Sequence, residues 1–393
     1  MKDETKTILA GRDPETHFGA VNPPVYHAST IIYPSLAAIR GKENIPYTYG
    51  RRATPTTDAL TKAMCELEQA DGCVLTPSGL SAVTLAILSA VKSGDHLLMV
   101  DSAYAPTRSF CDKYLVDMGV ETEYYDPLIG GDIAQLIRPN TALIFTESPG
   151  SQTFEVQDIP AIVAAAKAAN VLTAIDNTWA SHHYFKPLAH GIDISVQAAT
   201  KYIIGHADAL LGTVCAKGAV YANVKRLWNV LGMSVGPDDV YLALRGLRTL
   251  PARLAQHSKT TLDIAAWLET LPFIRQVLYP ALPSHAGHAL WQRDFTGATG
   301  LFAIETAPCS EDRLAAMLDN MRLFSMGYSW GGYESLIVPG EYTRQCRPFE
   351  TDGHLLRLHI GLEHGEDLQA DLADGFARAG FATAKFALMA FRE

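Results

Sequence analysis

From Thr54 onward the chain alternates between segments whose apolar residues recur at helical spacing and short apolar runs rich in β-formers. The first fifty-odd residues show neither period. Thr54-Pro55, an N-cap followed by proline at the first helical position, predicts a helix through Ala70 that stops at Asp71-Gly72. After it, CVLT (73–76), HLLMV (96–100), ALIFTE (142–147), VLTAID (171–176) and ISVQAAT (194–200) are predicted strands. Helices are expected over 79–91 and 159–169 between them. Such alternation predicts βα units around a mostly parallel sheet. A helical stretch over 237–271, expected to break near Pro251, leads into a second region. Its strands are expected at 301–305, 336–338 and 355–361, and its helices at 312–320 and 366–379. Residues 281–300 follow no clear pattern, and no repeat is present.

A chain of 393 residues exceeds one ordinary core and suits two domains. The pattern predicts an arm (1–53), a large domain (54–250) and a C-terminal domain (251–393). Gly11, Pro14, Gly19, Asn22, Pro23, Pro24, Pro34 and Pro46 make the arm rich in turn formers. An arm of this kind either reaches across to a neighbouring subunit or wraps its own. Hydrophobic residues at 48% and charged residues at 19% describe a chain that folds throughout.

The net charge of −10 opposes nucleic acid and anionic membrane surfaces, so neither is an expected partner. The amino terminus carries no signal-peptide core, and the longest mostly apolar stretch, 80–91, is too short to span a bilayer, so a cytoplasmic protein is expected. Six scattered cysteines without CxxC spacing are expected to be reduced and buried. His182-His183 and His285/His288 lack a third ligand at metal spacing, so no metal is expected.

Four constellations can carry chemistry. Pro77-Ser78-Gly79-Leu80-Ser81 lies where a strand ends and a helix begins, and unpaired helix amides there favour a phosphate. A merely structural turn is the commoner meaning of that pattern alone. Asp176 ends an apolar strand, where a carboxylate needs a cation such as a protonated ring nitrogen or else serves as a loop cap. Lys201 follows another strand, and a lysine buried there must be paired or lose its charge, as it does in an imine with an aldehyde; a surface lysine is the bland alternative. Arg357 interrupts the apolar run LLRLHIG and suits either a substrate α-carboxylate or an internal acid. In order and chemistry the four match a pyridoxal phosphate enzyme.

The chain resembles the Cys/Met metabolism family of pyridoxal phosphate enzymes over nearly its whole length. The resemblance is carried by YGRRATPT (49–56), CELEQADGCVLTPSG (65–79), GDHLLMVDSAYAPTR (94–108), FTESPGS (145–151), IDNTW (175–179), QAATKYIIGHADALLGT (197–213), LRGLRTLPARLAQH (244–257), RDFTGATGLF (293–302), FSMGYSWGGYESL (324–336) and RLHIGLE (357–363). It implies a fold type I (aspartate aminotransferase-like) α/β structure with a smaller C-terminal α+β domain, and a homo-oligomer that is at least a dimer, the family being usually tetrameric. Pyridoxal 5′-phosphate is the implied cofactor. The Gly79 and Leu80 amides and the Thr200 hydroxyl would hold its phosphate, with Tyr49 and Arg51 reaching in from the neighbouring subunit. Tyr104 would stack on its ring, Asp176 would pair with the ring nitrogen, and Lys201 would form the imine. Arg357 would bind the substrate α-carboxylate, while Tyr241, Tyr328, Ser329 and Trp330 would border the substrate.

The stretch SWGGYESL resembles the members that eliminate at the β-carbon more than the γ-acting ones. The implied reaction is α,β-elimination of L-cystathionine to homocysteine, pyruvate and ammonia, a step toward methionine, with Lys201 taking the Cα proton and returning one to the leaving sulfur. A γ-eliminating or γ-replacing activity and a broader lyase activity on cysteine S-conjugates stand as alternatives. A non-catalytic binding protein is opposed by the joint presence of Lys201, Asp176 and Arg357.

Overall fold

A computed structural model describes residues 1–381; residues 382–393 of the expected C-terminal domain lie outside it. Seven strands form the larger sheet: β1 (Gly72–Thr76), β2 (His96–Val100), β3 (Glu121–Tyr125), β4 (Thr141–Glu147), β5 (Leu172–Asp176), β6 (Ile194–Ala198) and β7 (Gly212–Ala216). Their order is β1-β7-β6-β5-β4-β2-β3. From β6 through β3 neighbours run parallel, and β7 alone runs antiparallel to both β1 and β6. The sheet is therefore mostly parallel, as the alternation implied. Strands such as β2, buried at every position, read as continuous apolar runs because helices cover both faces.

The second sheet is antiparallel: β8 (Ile274–Leu278), β9 (Leu301–Thr306), β10 (Leu336–Pro339) and β11 (Leu355–His359), in the order β10-β11-β9-β8. One buried cluster joins the two regions, with Ile175, Trp179 and Phe185 from the first packing among Phe302, Ile304 and Leu358 of the second. Trp179 fixes that contact by donating from Nε1 to the Leu301 carbonyl at 2.9 Å.

Two expectations are corrected. The helix Pro237–Leu268 runs unbroken through Pro251. Leu247, Leu250 and Leu254 on either side of the proline are fully buried, and Arg253 donates to the Gly246 carbonyl at 2.8 Å, so packing and a side-chain donor outweigh one missing backbone bond. The arm, in which no period was legible, also begins with a regular element. Asp3–Leu9 is helical, and Arg248 clasps its end through the Thr7, Ile8 and Ala10 carbonyls at 2.9, 3.1 and 2.8 Å, all within one chain.

Candidate active site

The chemistry-bearing residues gather where β4, β5 and β6 end. Asp176 closes β5, and Glu147 closes β4 directly beside it in register. Adjacent strands lie about 4.8 Å apart, so two carboxylates meet at one edge. Burial pushes both upward in pKa, Glu147 further because Asp176 repels its charge. Asp176 is partly compensated by Thr178, whose amide donates at 3.0 Å and whose hydroxyl donates at 2.5 Å. Glu147 accepts the Tyr104 amide at 2.8 Å, which ties the turn after β2 to the same edge.

Lys201 follows β6 in a tight turn held by its own amide to the Ala198 carbonyl at 3.0 Å and by the Gly205 amide to its carbonyl at 2.7 Å. Burial and the nearby Arg357 guanidinium lower its ammonium to about 8, against an opposing pull from Asp176. Nζ donates to the Ser329 hydroxyl at 2.5 Å and lies 5.2 Å from the Trp330 ring centre. Arg357 on β11 donates from Nη2 to the Ser329 carbonyl at 3.2 Å, so one residue joins both cations. Ser329 holds φ at +81°, a strained conformation for a side chain with Cβ. Gly331 has φ +91°, and a Cβ there would come within 2.9 Å of the Lys201 backbone.

Ser78 caps the helix Gly79–Ala90 through a capping box with Ser81. Its side chain and carbonyl satisfy the Ser81 and Ala82 amides, so Gly79 and Leu80 supply the first-turn amides without a helical acceptor. Gly79 is required: a Cβ would meet Ala198 Cβ at 2.4 Å, where the helix end approaches β6. Thr200 lies in the same place, but its hydroxyl is engaged with Leu211, accepting from the amide at 3.0 Å and donating to the carbonyl at 3.2 Å.

Asp176, Lys201, Tyr104, Arg357 and Ser329 are thus linked by contacts or mutual fields, with Tyr328 near Arg357 and Trp330 beside Lys201. Tyr49 is exposed, Arg51 keeps a buried Nη1 without a partner among the described residues, and Tyr241 is half-buried on the long helix; among the described residues no side-chain hydrogen bond or ion pair joins these three to the cluster. Glu147 was not among the expected site residues. Its signal was present, since ALIFTE ends on an acid as VLTAID does.

These groups fit pyridoxal phosphate. A helix start offers amides to an anion, a buried acid lacks a cation, and a lysine of lowered basicity stands between that acid and an arginine. An acid on one central strand end with a lysine after the next, in a sheet of this order, defines a fold type I pyridoxal phosphate enzyme. The family described as "Cys/Met metabolism PLP-dependent enzyme" matches residues 4–377, and the chain belongs to it.

The chain is similar to cystathionine β-lyase of Salmonella typhimurium, 47% identical over 387 residues covering 95% of this chain and 98% of the relative. It is similar to cystathionine β-lyase of Escherichia coli, 46% identical over 389 residues covering 96% and 98%. A solved cystathionine γ-synthase from Xanthomonas oryzae pv. oryzae, in complex with cystathionine, superposes with a TM-score of 0.89 at 33% identity, over 97% of this chain and 99% of that one. Among the described residues no helix is long and apolar enough to cross a membrane, and no group of three or more metal-ligating side chains occurs.

Proposed function

We propose that the protein cleaves the β-carbon–sulfur bond of L-cystathionine and, with one water consumed, releases homocysteine, pyruvate and ammonia. The observation that carries the reading is the packing of Ser329 and Trp330, from the stretch SWGGYESL, directly on the Lys201 amine. Bulk at that point restricts room beyond the β-carbon, which favours β- over γ-chemistry.

Bound pyridoxal phosphate would supply an electron sink for the carbanion formed at Cα. The Gly79 and Leu80 amides would hold its phosphate, with Thr200 fixing the turn beneath. Asp176 would pair with the ring nitrogen, Tyr104 would lie on the ring, and Lys201 would anchor the aldehyde. The Arg357 guanidinium would grip the substrate α-carboxylate, which fixes Cα near Lys201 Nζ. With its basicity lowered to about 8, Nζ is suited to take the Cα proton and return it to the departing sulfur. Tyr241 and Tyr328 would border the sulfur side of the substrate.

Residues 1–53 would act as an arm, 54–250 as the cofactor domain and 251–393 as the domain that closes on substrate. Tyr49 and Arg51 would complete a neighbouring subunit's phosphate site, which makes the working unit at least a dimer and, as the sequence resemblance implies, a tetramer in the cytoplasm. The unpartnered Arg51 Nη1 supports that assignment.

Product analysis with L-cystathionine tests the reading. Homocysteine and pyruvate are expected; cysteine and 2-oxobutyrate would assign the site to γ-elimination instead.

A further inference from the structure

Close to Lys201, two buried histidines from different elements face one another with their rings tilted by 45°. His257 comes from the helix Pro237–Leu268 and His359 from the end of β11; both are essentially inaccessible, and their ring centres are 5.3 Å apart. Tyr202, next to Lys201, lies 5.7 and 6.0 Å from the two rings. Each imidazole uses one nitrogen. His257 Nδ1 is 2.7 Å from the Ile360 carbonyl, an acceptor only, so that nitrogen carries the proton and Nε2 is bare. His359 Nε2 accepts the Gly331 amide at 3.1 Å. The remaining nitrogens, His257 Nε2 and His359 Nδ1, are both buried without a partner among the described residues.

The tautomer follows from counting donors. If His359 carried its proton on Nε2, facing the Gly332 carbonyl 3.2 Å away, the Gly331 amide would lose its acceptor and two bare nitrogens would be left. With the proton on Nδ1, the Gly331 amide is satisfied, and one water can accept from Nδ1–H and donate to His257 Nε2, the two nitrogens making no direct hydrogen bond. Burial keeps both rings neutral, with pKa values of about 4 for His257 and about 3 for His359, so neither can donate from both nitrogens.

We propose that His257 and His359 form a neutral hydrogen-bonded relay, bridged by one buried water, that holds Gly331 and thereby sets the position of Ser329 against the Lys201 amine. Gly331 packs on the Lys201 backbone and Ser329 touches Nζ, so a shift in the relay reaches the proton-carrying atom through two residues. Both histidines are positioning residues, and neither touches the reacting atoms. Gly300 leaves the space the relay needs, since a Cβ there would press on His359 Nδ1 and Cε1 at 3.2 Å.

The inference rests on the reading of Lys201 as cofactor anchor, and the test separates the two. In the loaded enzyme, His257→Asn keeps a donor for the Ile360 carbonyl but removes the Nε2 acceptor. Its visible cofactor band should persist, while the pH midpoint of that band moves by about half a unit or more and kcat falls about 3–10-fold with KM little changed. A lost band would fault the anchor reading instead. An unmoved midpoint with only a lower melting temperature would overturn the relay. As a second pair, His359→Gln keeps an acceptor for the Gly331 amide and His359→Leu does not. The Gln variant should retain at least three times the kcat of the Leu variant, and equal losses would also overturn it.

Discussion

The site has two halves built on different principles. One is the edge of the large sheet, where Glu147, Asp176 and Lys201 sit at or just after strand ends, held by backbone register. The other is the segment 327–333 with Arg357 behind it, where Ser329 and Gly331 take positive φ and the geometry depends on side chains pulling from several directions. The first half accumulates charges that burial opposes, so it is chemically strained. In the second half the strain is conformational. In the proposed reading, Asp176 would pair with a cationic ring nitrogen and Lys201 would anchor the aldehyde, which would relieve the first; the second is held in place by the Lys201 and Arg357 contacts on Ser329.

The largest expected effect falls on the sheet half. Lys201→Ala removes the proposed anchor and base together, and loss of the base alone would cost about 10²–10⁴ in rate. Turnover should disappear along with the visible cofactor band. Residual activity above a hundredth of wild type would move the base elsewhere and weaken the claim that the sheet half does the proton chemistry.

Arg357→Ala tests the other half next. The guanidinium lost there is expected to weaken substrate binding by about 1.5–3 kcal/mol, the scale of a hydrogen bond to a charged group. Cofactor binding should be unaffected. A raised KM with an unchanged band places Arg357 on substrate; a weakened cofactor affinity would dissolve the division between the halves.

Those two residues also mark what sequence could reveal. Asp176 and Lys201 were legible because a polar residue ending an apolar run is conspicuous, and parallel strands make such runs continuous. Glu147 had the same signal in ALIFTE but gains meaning only beside Asp176, a pairing that needs the strand order β5-β4. β3 (ETEYY) went unseen because its exposed start is polar, and β7 (Gly212–Ala216), no shorter than strands that were legible, also went unassigned. In the loop half Arg357 stood out as a cation inside the apolar run LLRLHIG, whereas the segment 327–333 was visible only through family resemblance. No periodicity announces that Ser329 bridges a lysine and an arginine, and the pairing of His257 with His359 depends on tertiary contact between a helix and a strand.

A smaller effect separates the two kinds of strain. Glu147 binds its proton more tightly in the folded protein than in the unfolded chain, where a carboxyl titrates near 4.5. The folded state is therefore penalised progressively as pH rises above that value. Glu147→Gln removes the titration and keeps an oxygen for the Tyr104 amide. In the cofactor-free protein it should stabilise by on the order of 1 kcal/mol at pH 8 and by almost nothing at pH 4.5, measured by denaturant unfolding at both. The same gain at both pH values would mean that charge is not what burdens the sheet edge.

The smallest effect belongs to Ser329. Ser329→Ala keeps the φ of +81° and loses the hydroxyl that meets Lys201, whereas Ser329→Gly loses the hydroxyl and relaxes the backbone. Both should lower kcat by a similar few-fold, because the contact with Nζ is gone in each. Their stabilities should differ. Glycine accepts positive φ at no steric cost, so the Gly variant should unfold at higher denaturant than the Ala variant, by about 0.5–1 kcal/mol after allowance for its greater freedom when unfolded. If the Ala variant is the more stable, the loop is unstrained and the Lys201 and Arg357 contacts are not what hold it. The expected order would instead show that two charge-assisted bonds on one residue keep a costly backbone in place.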